Sequence, residues 1–444
     1  MLSVDSETEA RTGHTQQSPH RILFLGLISS IILLGILRSG IATRLDSLDI
    51  DEAYHIVAGV SYVRHGDYRL NPEHPPLVKL WVGAFLPQSA FRLPPFKPMA
   101  DKVEERRFAN NVVYLQNDPD AVQQRARIAM FVLNGLLLFG LALAVWRLFH
   151  PVLAIGTIAF LVIDPTVAAH MPMVLTDLPL TLLASTAVLL SFYAFRTWRS
   201  RDLIVAAVVL GLAFGAKHSA PVVLAGTGLL GTAMALRDKR GRDRLRHLGK
   251  VLGVLAIAWI VLWSLYRFRF NESPAGIDLF NRPLAEKIAD VNSAPLRSTV
   301  SLMSKFHVLP RAYLWGLADI IRAGVEGRVY SIYFWNRYYV RKTPFYFFPG
   351  LIFFKLPVGL IVLSIIGVLL VSRGRIPADW IPGLVVMLGL SFLLLVMLAI
   401  GNSSYAGIRH ALPIFPTIAI LGLSRFPKQS SEDRPFYASR WCWH

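Results

Sequence analysis

Two carboxylates and an imidazole lie within little more than one predicted helical turn: Asp51, Glu52 and His55. Asp49 can cap a helix over residues 50–64, and Gly66 can end it, so Asp51 and His55 share one face as i,i+4 neighbours. A carboxylate there can be a general base, part of a metal site, or simply a favourable charge at a helix start. The residue types alone leave these three interpretations open.

A second group of reactive side chains lies in residues 71–77, Asn-Pro-Glu-His-Pro-Pro-Leu. The double proline fixes an extended lead-in, and proline is accepted in the first turn of a helix. The segment therefore predicts a tight turn that presents Glu73 and His74. A helix over 77–86 should follow, too short to span a bilayer, with Trp81 as its interfacial anchor.

Three basic residues occur at one predicted membrane edge, in three separate parts of the chain. Arg127 precedes the second span, Lys217 follows the fifth, and Arg409 opens the last. Such side chains bind phosphate well, although they can also simply extend to the interface. Asp177 opens the fourth span, where it is a candidate site residue and equally an ordinary helix cap.

The composition indicates what kind of fold must position these residues. The chain has 444 residues, of which 54% are hydrophobic and 17% charged, with a net charge of +18. Soluble proteins carry about a quarter charged residues, so a soluble multidomain enzyme and a disordered chain are both excluded. The single cysteine, Cys442, excludes an intramolecular disulfide and a cysteine-based zinc site. The basic balance favours an anionic membrane over nucleic acid, so no nucleic-acid partner is expected.

The hydropathy pattern predicts an all-α polytopic membrane protein with about ten transmembrane helices. We place them at 22–42, 128–146, 151–169, 178–195, 203–216, 220–236, 251–266, 347–371, 380–400 and 408–424. The predicted organisation is therefore a tail (1–21), a membrane domain (22–424) and a second tail (425–444). Two long external loops, 43–127 and 267–346, should carry interfacial helices.

Lysine and arginine in the short loops indicate the orientation of the chain. Residues 237–250 contain seven of them, whereas the short connections on the other side carry only Lys217. Since basic residues favour the inside, both tails should be cytoplasmic and the motifs should face outward.

The motif pair resembles a known family. Asp51-Glu52 followed by Glu73-His74-Pro-Pro-Leu, between a first membrane helix and a short interfacial helix, resembles the GT-C membrane glycosyltransferases. The closest similarity is to the protein O-mannosyltransferase and aminoarabinose-transferase superfamily, also called glycosyltransferase family 39. Weaker similarities are the arginine of Ala-Arg127-Ile, the lysine of Gly-Ala-Lys217, and Gly407-Ile-Arg409-His410, in which a histidine replaces the usual tyrosine.

The resemblance implies roles for individual residues. Asp51 would be the catalytic base, and Glu52 would be a second carboxylate that orients the acceptor. The donor phosphate would contact four residues: His74, Arg127, Lys217 and Arg409. Supporting roles would fall to Glu73, Asp177, His55 and His410. No cofactor is required, although Asp51, Glu73 and Asp177 could hold a divalent metal ion.

The implied function is transfer of a hexose or pentose, with inversion, from a polyprenyl-phosphate donor to a hydroxyl of a protein, lipid or glycan. The reaction would take place on the external, periplasmic face of a bacterial inner membrane. Two alternatives stay open at this point: a transporter or flippase of a lipid-linked substrate, and an inactive scaffold with the same fold.

Overall fold

The computed structural model describes residues 19–96, 99–276, 282–326, 331–340, 343–373, 376–400 and 404–423. The predicted C-terminal tail and nearly all of the N-terminal tail lie outside these ranges. The predictions made for the two tails, and for Cys442, therefore stay predictions.

Helices dominate the described part of the chain. In chain order they are α1 (Pro19–Ala42), α2 (Glu52–His65), α3 (Leu77–Ala84), α4 (Lys102–Gln116), α5 (Pro119–Leu148), α6 (Pro151–Ile163), α7 (Pro165–His170), α8 (Asp177–Thr197), α9 (Ser200–Phe214), α10 (Ala220–Leu236), α11 (Gly241–Leu265), α12 (Leu284–Ala289), α13 (Ala294–Lys305), α14 (Arg311–Ile320), α15 (Phe347–Lys355), α16 (Val358–Ser372), α17 (Ile381–Ile400) and α18 (Phe415–Leu423). A π-helical turn (Ile321–Val325) follows α14, and a 3-10 segment (Ser404–Ile414) precedes α18. Strands β1 (Ser331–Phe334) and β2 (Arg337–Val340) form an antiparallel hairpin with Ser331 opposite Val340.

Fewer helices than predicted meet the requirements of a membrane span. By length and composition, five described helices could cross a bilayer: α1, α5, α8, α11 and α17. The pair α15 and α16 adds a sixth if it is one broken span. Helices α6 and α10 and the stretch 407–423 are apolar but shorter, so the predicted count of about ten is not confirmed.

The prediction of one continuous span over 347–371 is wrong. Helix α15 ends at Lys355, and α16 begins at Val358 with an axis bent by 116°. Leu356, which precedes Pro357, is extended (φ −75°, ψ 140°). A residue before proline avoids the α region, and proline has no N–H to continue the hydrogen-bond ladder, so the helix breaks here.

Large apolar side chains cover the outward faces of the long helices. Leu34 of α1, Leu136 of α5 and Phe392 of α17 are 65%, 58% and 69% exposed. Exposure of such a surface to water is unfavourable in free energy, whereas contact with the hydrocarbon of a bilayer is not. Together with the span lengths, these faces identify an integral, multi-pass membrane protein.

Helix α8 lies at the centre of the bundle. It packs against α5, α9, α10 and α17 and against the 3-10 segment, and nearly all of its residues are buried. Its first residue, Asp177, therefore lies at the centre of the bundle end that faces the first long loop.

Two short helices of the first loop, α2 and α3, pack in direct backbone contact. A Cβ at Gly59 would collide with the carbonyl oxygen of Lys79, and a Cβ at Gly83 would collide with that of Gly59. Trp81 donates a hydrogen bond to the carbonyl of Ala129 in α5 (2.8 Å), so it anchors α3 to the membrane bundle.

The boundaries of α2 confirm one sequence prediction and correct another. Gly66 ends the helix in the left-handed conformation (φ +61°), as predicted. The helix does not begin at Ile50 behind an Asp49 cap, because Asp51 occupies the N-cap position and Glu52 is the first helical residue.

The second long loop closes over the end of α2. Arg267 donates to the carbonyl oxygens of Tyr62 (3.2 Å) and Val63 (2.9 Å), and Arg269 donates to that of Gly66. The carbonyl of Tyr62 also accepts the N–H of Gly66, and arginines are suitable additional donors for the last carbonyls of a helix. The two long loops therefore form one structure above the bundle.

Candidate functional site

Asp51 lies between two arginines from distant parts of the chain. Its Oδ1 accepts a hydrogen bond from Arg106 Nη2 of α4 (2.8 Å), and its Oδ2 faces Arg409 Nη1 (3.4 Å). Burial alone would raise the pKa of Asp51, but the guanidinium groups of Arg409 and Arg106 oppose this effect, and the pKa lies below its usual value. Asp51 is therefore an ionised carboxylate at neutral pH.

The position of Arg409 depends on a glycine. Gly407 interrupts the 3-10 segment with φ +61° and ψ −147°, a conformation that residues with a Cβ rarely adopt. The chain turns there, so that Arg409 reaches Asp51 and His410 follows it in the same segment. This accounts for the Gly-x-Arg spacing noted in the sequence.

Asp177 forms a second carboxylate–cation pair beside the first. Its Oδ1 accepts a hydrogen bond from Lys217 Nζ, which comes from the turn between α9 and α10. Arg409 and His410 lie within electrostatic range of the same carboxylate. The structure thus brings together four predicted site residues: Asp51, Asp177, Lys217 and Arg409.

Glu52 is engaged differently from its neighbour. Its Oε2 accepts the backbone N–H of Asp49 (2.7 Å), its Oε1 accepts that of Val174 (2.8 Å), and the residue is only 1% exposed. Burial raises its pKa, although the two backbone donors oppose the shift. Glu52 therefore joins the start of α2 to the loop before α8, and so sets Asp51 relative to Asp177.

A buried lysine that the sequence analysis missed holds the turn at 71–76. Lys79 Nζ donates to the hydroxyl of Tyr62 (3.0 Å), to the carbonyl of His74 (2.7 Å) and to the carbonyl of Asn71. Burial lowers the pKa of Lys79 well below its usual value. The only available signal was its position in the first turn of α3, four residues after Pro75.

Three histidines surround this turn. The rings of His55 and His74 lie 5.2 Å apart, and His55 Nδ1 faces the side-chain amide of Asn71 (3.2 Å). His218 packs edge-on against Tyr313 at 4.5 Å. Burial and nearby Lys79 lower the pKa of both His55 and His218 to about 3, and burial lowers that of His74 well below its usual value. All three rings are neutral at pH 7.

Helix α4 covers the site through one charged face, which the sequence analysis also missed. Lys102 pairs with Glu73, Glu105 accepts a hydrogen bond from the hydroxyl of Tyr54, and Arg106 pairs with Asp51. The three α4 residues have i, i+3, i+4 spacing, which places them on one face of a helix. That spacing was the available signal, but the partners are distant in sequence.

Arg127 does not join the paired charges. Its guanidinium donates to the backbone carbonyls of Thr43 (2.5 Å), Asp46 (2.9 Å) and Ser47 (3.4 Å). In this arrangement it holds the loop after α1 against α5, and its predicted phosphate contact stays a prediction.

Within the described ranges, no group of three or more His, Cys, Asp or Glu side chains is arranged to hold a metal ion. Glu73 is directed to Lys102 instead of toward Asp51 and Asp177.

Comparison with known proteins supports the same family as the motifs. Residues 119–275 match the family model of the dolichyl-phosphate-mannose-protein mannosyltransferases. No curated protein matches the sequence of the chain significantly.

Solved structures match the chain at low sequence identity. ArnT from Cupriavidus metallidurans, bound to undecaprenyl phosphate, matches with a TM-score of 0.52 and 14% identity, over 91% of this chain and 59% of ArnT. The oligosaccharyltransferase of Archaeoglobus fulgidus matches with a TM-score of 0.44 and 11% identity, over 88% of this chain and 50% of that one. The protein O-mannosyltransferase Pmt1–Pmt2 complex of S. cerevisiae, bound to its sugar donor, matches with a TM-score of 0.44 and 15% identity, over 58% of this chain and 34% of that one.

The chain spans less than two thirds of the length of each of these structures. The family match over 119–275 and the ArnT-like fold nevertheless agree with the two motifs in the first loop. They confirm that this chain resembles the GT-C membrane glycosyltransferases, and within them the protein O-mannosyltransferase and aminoarabinose-transferase type.

Proposed function

We propose that the chain is a membrane glycosyltransferase that moves a sugar from a polyprenyl-phosphate donor to an acceptor hydroxyl on the external face of the membrane. One observation carries this proposal. Two carboxylate–cation pairs, Asp51–Arg409 and Asp177–Lys217, meet at the bundle end that faces the first long loop. Such a site can both bind a phosphate and deprotonate a hydroxyl.

The two cations are suited to the donor phosphate. Arg409 lies at a long 3.4 Å from Asp51, so an arriving phosphate can compete for the guanidinium. Lys217 lies in the adjacent pair and is a point charge that stabilises phosphate without fixed geometry. The similarity to ArnT, which was solved with undecaprenyl phosphate, supports a lipid-linked phosphate as the donor.

Asp51 is the proposed general base. In the proposed step, Asp51 accepts the proton of the acceptor hydroxyl, and the oxygen attacks the anomeric carbon. The carbon–oxygen bond to the phosphate breaks, and its electron pair leaves with the lipid phosphate, beside Arg409 and Lys217. Attack opposite to the leaving group inverts the anomeric centre. Glu52 serves in this scheme as a positioning residue, because both of its oxygens are bonded to backbone N–H groups.

Transport of a lipid-linked substrate is the second candidate. The 116° break between α15 and α16 favours it, since broken helices are common in transporters. No general base is needed for transport, however, so the ionised, half-buried Asp51 between two arginines is better explained by transfer chemistry.

Proteoliposomes separate the two functions. Wild-type protein would be reconstituted with polyprenyl-phosphate donors of several sugars, each labelled in the sugar. Release of water-soluble labelled sugar, or label on an added acceptor, supports transfer. Movement of intact donor between leaflets without release supports transport and would overturn the proposal.

The variants Lys217→Ala and Arg409→Ala test the phosphate site in the same preparation. Each should raise the KM for the donor at least tenfold, because each removes a charged contact to phosphate. Lys355→Ala is the matched control, since Lys355 is an exposed lysine at the end of α15. An unchanged KM in both site variants would contradict the phosphate assignment.

A further inference from the structure

A second charged region lies at the opposite ends of the helices that carry the site. Helix α8 begins at Asp177 in the site and ends at Thr197, and α9 returns from Ser200 toward Lys217. Residues 237–250, which comprise the turn after α10 and the first part of α11, lie at the same end as the α8–α9 turn. We call the surface formed by residues 196–201 and 237–250 the basic face.

Specific contacts hold the two parts of the basic face together. The ring of Trp198 stacks on that of His247 with centroids 4.0 Å apart and planes at 3°. Lys250 donates to the carbonyl of Trp198 (2.5 Å), and Trp198 itself adopts the left-handed conformation (φ 51°). His247 Nδ1 also contacts Asp238 Oδ2 (2.5 Å). These contacts hold the α8–α9 turn against the first part of α11, so the basic face is one continuous surface.

The basic face carries a concentrated charge that the protein does not neutralise. Six exposed cations lie within ten residues: Arg237, Lys239, Arg240, Arg242, Arg244 and Arg246. In the part of the chain that the structure describes, none of these six forms an ion pair with a carboxylate. Of the two acids in the same segment, Asp238 and Asp243, the first is engaged by His247. A surface of this kind attracts anions strongly.

The depth of the basic face indicates which anion it meets. The apolar part of α11 begins at Val251, directly after the basic face ends. The residues of α8 that precede the basic face, up to Phe195, are mostly apolar as well. Leu236 and Leu245 are 54% and 72% exposed within the same region. Cations beside exposed leucines at the end of two spans match the level at which phospholipid headgroups lie.

We propose that the basic face binds the headgroups of anionic phospholipids, in the leaflet opposite to the candidate active site. Binding is electrostatic, assisted by insertion of Leu236 and Leu245 into the acyl boundary. The proposal does not depend on the proposed glycosyltransferase function, because it uses residues at the other end of the bundle.

Native mass spectrometry of the full chain in detergent tests this directly, with phosphatidylglycerol as the anionic probe and phosphatidylcholine as the neutral one. The variant is the triple substitution Arg240→Gln, Arg242→Gln and Arg246→Gln. Since each surface cation contributes several-fold to binding of anionic lipid, the triple variant should bind phosphatidylglycerol roughly 100-fold more weakly. Binding of phosphatidylcholine should not change.

Two controls keep the test specific. Lysine at the same three positions should retain phosphatidylglycerol binding, because the charge is kept. Glutamine at three exposed arginines elsewhere, Arg44, Arg107 and Arg125, should leave phosphatidylglycerol binding unchanged. Equal phosphatidylglycerol affinity of the wild type and the triple glutamine variant would overturn the proposal. RNA is the second anionic probe. If the triple glutamine variant lost RNA binding shown by the wild type but kept phosphatidylglycerol binding, the face would be assigned to nucleic acid and the proposal would also be overturned.

Discussion

At the scale of single residues, the site depends on how charges are paired. Sequence patterns identified Asp51, Asp177, Lys217 and Arg409 as candidates, because their motifs lie at one predicted membrane edge and resemble those of a known family. They could not reveal the pairing itself, since the partners lie in distant segments. Arg106 was missed for the same reason, as nothing near it in sequence indicates that it reaches Asp51 (2.8 Å).

Replacing Arg106 should change how the enzyme responds to pH. Arg106→Gln removes a positive neighbour of Asp51, so the pKa of the carboxylate rises. The acidic limb of the pH profile of kcat/KM should therefore move to higher pH, with little change on the alkaline side. Arg107→Gln, at an exposed position one residue away, is the control. An acidic limb that stays in place in Arg106→Gln would show that Asp51 does not set it.

At the scale of helices, the site depends on a few close packings. The stop at Gly66 and the helix that begins at Leu77 were predictable, because glycine and proline have strong local effects. The docking of α4 was not predictable, because its partners Glu73, Tyr54 and Asp51 become neighbours only after folding. The sharp bend at Leu356 was missed although Pro357 signals it, because the prediction of this span rested on hydropathy, which shows one long apolar stretch.

The contact between α2 and α3 provides a test at this scale. Gly59→Ala would place a methyl group against the carbonyl oxygen of Lys79, which forces α3 away from α2. We expect a loss of about 1–3 kcal/mol in the free energy of unfolding, together with reduced activity, because α3 carries Lys79. Thermal unfolding in detergent measures the effect.

The matched control is Gly253→Ala in α11, where a Cβ would meet no atom within 4 Å. That substitution should be neutral or stabilising by up to about 1 kcal/mol, since alanine favours helices. Equal melting temperatures for the two variants would mean that the close contact of α2 and α3 does not constrain the fold.

At the scale of the whole molecule, the two long loops and the bundle end enclose a set of neutral imidazoles. The mostly helical membrane architecture followed from composition and hydropathy, but the hairpin of β1 and β2 did not. The burial of His55 and His218 did not either, because it depends on tertiary contacts: Tyr313 of α14 packs on His218, and Asn71 and His74 enclose His55. Their pKa values of about 3, against an ordinary 6.5, affect stability.

The protein should lose stability in mild acid. The folded state keeps both rings neutral down to about pH 3, whereas the unfolded chain binds protons below about pH 6.5. The stability contribution is therefore complete above pH 6.5 and falls below it, by up to about 1.4 kcal/mol per pH unit for each histidine. Glu52, whose pKa is raised, opposes the loss near its own pKa.

Melting temperatures between pH 7.5 and pH 5 measure this loss. The double variant His55→Gln and His218→Gln should show a flatter dependence on pH than the wild type. A wild-type melting temperature that is constant over this range would show that the two imidazoles are not held neutral by burial.

The central claim is that Asp51 is the base of a sugar transfer, and one comparison tests it most directly. Purified wild type, Asp51→Asn and Asp49→Asn would be compared in lipid nanodiscs for transfer of labelled sugar from a polyprenyl-phosphate donor. Asp49 lies two residues before Asp51, and its side chain is outside the paired charges described above. We expect at least a 100-fold lower rate for Asp51→Asn, with donor binding largely kept, and a near-normal rate for Asp49→Asn. Full activity of Asp51→Asn would contradict the account.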